Sequence, residues 1–120
     1  MRRAYPVIAV SLTIWVASIS AQTNLFNGQA LGASCQRYLD GEIIDASGPR
    51  STACDRLVKE VADVSRVIGE LGVCLPPRTP RELRRQVQAV VAYLDEHPDE
   101  LADEDVTLVV RALQGAFPCR

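Results

Sequence analysis

The 120-residue sequence holds one histidine, His97, and no Cys-x-x-Cys pair among its four cysteines. A zinc site draws on clustered thiolates and imidazoles, so this supply argues against one, and no metal or other cofactor is expected. With the cysteines oxidised in pairs there is no free thiol either, and no catalytic residue is expected: nucleophilic, acid–base and metal-assisted chemistry each need a placed group. An internal repeat, a low-complexity tract and the alternating pattern of a half-buried strand are also missing. No apolar run reaches the roughly 20 residues of a membrane-spanning helix. Arg78, Arg81, Arg84 and Arg85 stand close together without interleaved aromatics, which argues against nucleic acid.

What is there begins with Met1-Arg2-Arg3, followed by the apolar run AYPVIAVSLTIWVASI and small residues at Ser18, Ser20 and Ala21. That is the layout of a secretory signal peptide. The shortness of the run and Pro6 speak against a membrane anchor, and no cysteine follows it to carry a lipid. Cleavage after Ser20, with Ala21 as the neighbouring choice, predicts a signal peptide over 1–20 and one small mature domain over 21–120, without stable membrane association. Loss of Arg2 and Arg3 leaves 11 basic against 15 acidic residues, a net charge of −4. An acidic domain is a poor ligand for nucleic acid or an anionic membrane and suits a basic protein partner.

Apolar spacing predicts four helices. The firmest carries Leu83, Val87, Val90, Val91 and Leu94, with Thr79 as cap, Pro80 in the first turn and Glu82 completing a capping box. A second carries Ala102, Val106, Val109, Val110, Leu113 and Phe117, with Gly115 and Pro118 as stop signals. Between them, DEHPDELADED contains a breaker at Pro98 and a cap for the following helix at Asp99, so the two helices are expected to form an antiparallel hairpin. Upstream, Cys54, Leu57, Val58, Val61, Val64, Ile68 and Leu71 predict a helix over about 51–71, ended by a left-handed Gly72. A shorter helix around 29–39 carries Leu31, Cys35, Tyr38 and Leu39. The segment DGEIIDASGPR between these two has turn residues at both ends. The expected fold is all-α: a small four-helix domain stapled by two disulfides.

Cys35, Cys54, Cys74 and Cys119 allow three pairings. Cys35 and Cys54 fall on the apolar sides of consecutive helices, which favours joining them and leaves Cys74 for Cys119; Cys35 with Cys74 or with Cys119 are the alternatives. The favoured pairing ties the far end of the chain to the loop before the third helix. His97 reads as a helix-terminal residue. The acids from Asp95 to Asp105 read as a solvated turn or a partner-binding patch, and the four arginines as a counterpart facing that turn within the protein or across a dimer.

In chain order, FNGQALGASC, ACDRLVKEVADV, VCLPPRTPRELRRQVQAVVAYLDEHPDEL and LVVRALQGAFPC resemble the Rap/Tai family of periplasmic immunity proteins, which protect bacteria with type VI secretion systems from peptidoglycan amidase toxins. The most telling residues are Cys74-Leu75-Pro76, Tyr93-Leu94, His97-Pro98, Ala112-Leu113 and Phe117-Pro118-Cys119. Leu57 and Glu60 stand where the family commonly has an aromatic and a glycine, and DGEIIDASGPR lengthens the interval from Cys35 to Cys54. The resemblance implies an all-helical, often dimeric, non-enzymatic protein of the Gram-negative periplasm that occludes the active-site cleft of a cognate amidase toxin. Its contacts are expected from the Asp40–Arg50 loop, through Ile43, Ile44 and Asp45, and from the acidic turn, through Asp99, Glu100, Asp103 and Glu104. The competing reading is another periplasmic helical binder, such as an acid-stress chaperone.

Overall fold

Three side-chain caps, at Asn27, Thr52 and Thr79, and two left-handed glycines divide the chain into its elements. The computed structural model describes residues 26–41, 44–45, 48–49 and 52–120, with side chains for 26–41 and 52–120; the expected signal peptide and Ile43 lie outside them. Helix α1 (Gly28–Asp40) opens at Asn27, whose Oδ1 accepts from Ala30 N at 3.0 Å, and closes at Gly41 with φ 68°. Helix α2 (Ala53–Val67) opens on Thr52, whose hydroxyl accepts from Asp55 N, while the Asp55 carboxylate accepts from Thr52 N, a reciprocal capping box. Helix α3 (Pro80–Glu96) opens at Thr79 with Pro80 in its first turn. Helix α4 (Asp105–Ala116) follows a 3-10 turn at Pro98–Glu100. All four helices were expected.

A two-residue ribbon also stands in the α1–α2 loop, β1 (Ile44–Asp45) antiparallel to β2 (Gly48–Pro49), in the register Ile44 to Pro49 and Asp45 to Gly48. Strands this short leave no alternation to read.

Several boundaries differ from the sequence expectation. α2 stops at Val67 rather than near Leu71; a 3-10 turn, Gly69–Leu71, follows, and Gly72 with φ 68° closes that turn instead. Thr79 makes half of the expected capping box: it accepts from Glu82 N at 3.1 Å, but Glu82 turns its carboxylate to Arg85 at 2.8 Å. Asp99 lies in the 3-10 turn and caps nothing; the N-cap of α4 is Glu104, through its backbone alone. Gly115 sits inside α4, and Phe117 and Pro118 end it. Ala102 precedes the helix and is exposed.

The core is built from Leu31 and Cys35 on α1, Cys54, Val58 and Val61 on α2, Leu83, Val87, Val90 and Leu94 on α3, and Leu108, Val109, Ala112 and Leu113 on α4. α3 is central, packing on α1, α2 and α4. α3 and α4 run antiparallel as expected, and α4 enters beside the start of α1, where Gly28 N donates to Asp103 O and Asp105 N to Phe26 O. A Cβ at Gly28 would stand 2.7 Å from Leu108 Cδ1 and 2.9 Å from Leu101 Cα, so this close approach admits glycine alone.

Two disulfides staple the bundle. Cys35–Cys54 joins α1 to the first turn of α2, where Ser34 Oγ accepts from Cys54 N at 2.9 Å. Cys74–Cys119 ties the segment after α2 to the segment after α4, reinforced by a backbone bridge between Val73 and Pro118 and by Cys74 N donating to Phe117 O at 2.8 Å. This is the favoured pairing, and it answers how Cys119 is held.

Candidate interaction surface

Helix α3 keeps the two charge clusters apart. Arg78, Arg81, Arg84 and Arg85 stand at its N-terminal end and the acidic turn at its C-terminal end, about 25 Å away for 17 residues at 1.5 Å each. The arginines therefore do not face the acidic turn within the protein, as one of the two expectations had it. Arg78 pairs with Asp63 and Arg85 with Glu82. Arg84 donates twice to the Leu39 carbonyl, both at 3.2 Å, where the exposed carbonyls at the end of α1 attract a cation.

The acidic turn is two populations. Glu100 is half-buried, accepting from the Tyr93 hydroxyl at 2.9 and 3.0 Å and from Arg111 at 2.5 Å. Arg111 also binds Asp103 at 2.9 Å. His97 stacks on the Tyr93 ring with centroids 4.0 Å apart, and its Nδ1–H donates to the Tyr93 carbonyl at 2.8 Å. The outer acids Asp95, Glu96, Asp99, Glu104 and Asp105 have no ion pair among the described residues. Of the four contact candidates in this turn, then, Glu100 and Asp103 hold the α3–α4 corner together, while Asp99 and Glu104 remain open. Ile44 and Asp45 form β1, on a different loop.

This corner sets an alkaline expectation. Burial, reinforced by the bond to the Glu100 carboxylate, raises Tyr93 above the usual 10.0, and burial with the Asp55 charge raises Tyr38. Both are the tyrosines present after residue 20. Between the ordinary and the raised values the folded chain holds protons that the unfolded chain has lost, so their contribution is intact below pH 10 and lost as pH rises through the raised values. Absorbance titration of the phenolates should place both above pH 10, with Tyr93→Phe removing one step; ordinary titration of either would contradict the geometry.

Sequence spacing gave no sign of the groove between α1, α2 and α4, because no single element contains it. Its floor is Leu31 and Cys54, and its walls are Phe26, Ala30, Leu57 and Val106, around about 360 Å³. Arg56, Glu60 and Asp105 stand at its rim. Val106, expected as a core residue of the fourth helix, lies in this wall instead.

Among the described residues no group of three or more His, Cys, Asp or Glu could hold a metal ion, and no helix is long and apolar enough to cross a membrane. No match was found among curated proteins or among solved structures. A family model described as Rap1a immunity proteins matches residues 16–119, spanning all four helices and both disulfides. The chain belongs to the Rap1a immunity protein family.

Proposed function

We propose that this chain is exported by a signal peptide over 1–20, and that the domain over 21–120 is a periplasmic immunity protein of a type VI secretion system, binding a peptidoglycan amidase toxin and occluding its active-site cleft. The observation that carries this reading is membership of an immunity family along nearly the whole chain. Two disulfides suit an oxidising compartment. They also preorganise the domain, so that less ordering entropy opposes association. The net negative charge of the mature chain accelerates encounter with a basic toxin. Inhibition then needs no chemistry from this chain: a rigid body over the cleft excludes the substrate. The Asp40–Arg50 loop and the open acids Asp99 and Glu104 are the contacts this reading inherits from the sequence, and a homodimer presenting two such surfaces accords with it.

Calorimetry of the oxidised domain with the amidase encoded beside its gene, and an amidase assay on the same mixture, tests this. One-to-one or two-to-two binding with stoichiometric loss of activity is expected; binding that leaves activity intact would overturn occlusion.

A further inference from the structure

We infer that the groove between α1, α2 and α4 receives a large apolar side chain of the toxin, carried on a segment with flanking lysine or arginine; this rests on the immunity reading above. The large apolar side chains that stay most exposed are Phe26 (67%), Val64 (47%), Val67 (85%), Ile68 (45%) and Val106 (48%). None is on α3. Of these, Phe26 and Val106 line the groove together with Leu57 of α2, while Val64, Val67 and Ile68 lie farther along α2 and at its end, away from it. Concentrated apolar exposure around a recess marks a contact site, and one large side chain buried there supplies most of the energy of an interface.

The charge around the groove selects the flanks. Several acids elsewhere are neutralised, Asp55 by Lys59, Asp63 by Arg66 and Arg78, Glu82 by Arg85, and Glu100 and Asp103 by Arg111, whereas Asp95, Glu96 and Asp99 stay open away from the groove. Glu60 and Asp105 on the rim, and Glu104 beside them, have no ion pair among the described residues. Arg56, the one cation on the rim, is drawn back toward α2, its Nε donating to the Thr52 carbonyl at 3.3 Å. A basic segment gains the open carboxylates as it enters. A second copy would set acidic rim beside acidic rim in a two-fold pairing, which repels.

The test uses residues 21–120, oxidised, against the amidase encoded beside the gene, with Val106→Glu and Glu60→Lys. An acid in the first turn of α4 suits the helix, so Val106→Glu should keep its thermal midpoint. It is expected to weaken inhibition about 100-fold by burying a charge against the apolar anchor, and Glu60→Lys about tenfold, chiefly through slower association with a flatter salt dependence. Unchanged inhibition by both variants, with wild type fully inhibitory, would overturn the groove and leave the immunity function standing. A wild type that neither binds nor inhibits would overturn both. A wild-type dimer that Val106→Glu splits, seen by sedimentation, would assign the groove to a second copy. A tenfold gain in affinity on deleting residues 21–25 would assign it to the chain's own N-terminal segment. Either of these last two also overturns the proposal.

Discussion

Replacing Cys74 and Cys119 together by alanine should lower the unfolding free energy by about 4 kcal/mol, the chain-entropy value for a closure of 45 residues. The same treatment of Cys35 and Cys54 removes a closure of 19 residues, worth about 3 kcal/mol by that argument, and adds the loss of two fully buried side chains. Both losses are large against the 5–15 kcal/mol typical of a whole domain. Urea unfolding of the double variants measures them, and an unchanged midpoint for the Cys74–Cys119 variant would show that the backbone pairing of Val73 with Pro118 holds the end unaided. The two bonds also differ in access: Cys74 and Cys119 are exposed, Cys35 and Cys54 fully buried. Mild reductant should therefore open Cys74–Cys119 first, which peptide mapping after partial reduction would read directly.

Leu108→Ala should cost about 3 kcal/mol, within the 2–5 seen for leucine deletions in cores. Leu108 is wholly buried, and its Cδ1 fills the space left by the missing side chain of Gly28. The pair is thus one packing unit contributed by two helices. Gly28→Ala alone should destabilise by about 1–3 kcal/mol through overpacking. In the Leu108→Ala background it should cost less, since the nearest obstacle has gone, although the Leu101 backbone at 2.9 Å remains. Additive costs in the double-mutant cycle would refute this coupling.

These two features mark how far the sequence could be read. Thr79 before Pro80 gave the start of α3, because the cap is local chemistry and its partner is three residues away. The cysteine pairing followed from placing the residues on helices. The end of α2 did not: Val64, Ile68 and Leu71 continue the helical period, yet Val64 and Ile68 are substantially exposed, since periodicity records where apolar residues recur and not which of them a neighbour covers. Leu108 falls outside the predicted stripe for a related reason. A stripe begun at Ala102 has the wrong phase, and the true phase depends on where α1 meets α4. Thr52 and Asp55 carry the three-residue spacing of a reciprocal cap, a local signal that the long turn segment before them obscures. The Glu100–Arg111 pair and the groove are tertiary, assembled from residues 11 to about 80 positions apart, and no local pattern encodes them.

The order of the two staples carries a consequence for how the chain matures. The four cysteines join first to second and third to fourth, so neither bond encloses a member of the other. A chain delivered from its N-terminus presents Cys35 and Cys54 together well before Cys74 has a competitor, and Cys119 arrives last to find a single thiol waiting. Oxidation in order of arrival then yields the native set directly, with no wrong bond to be shuffled afterwards.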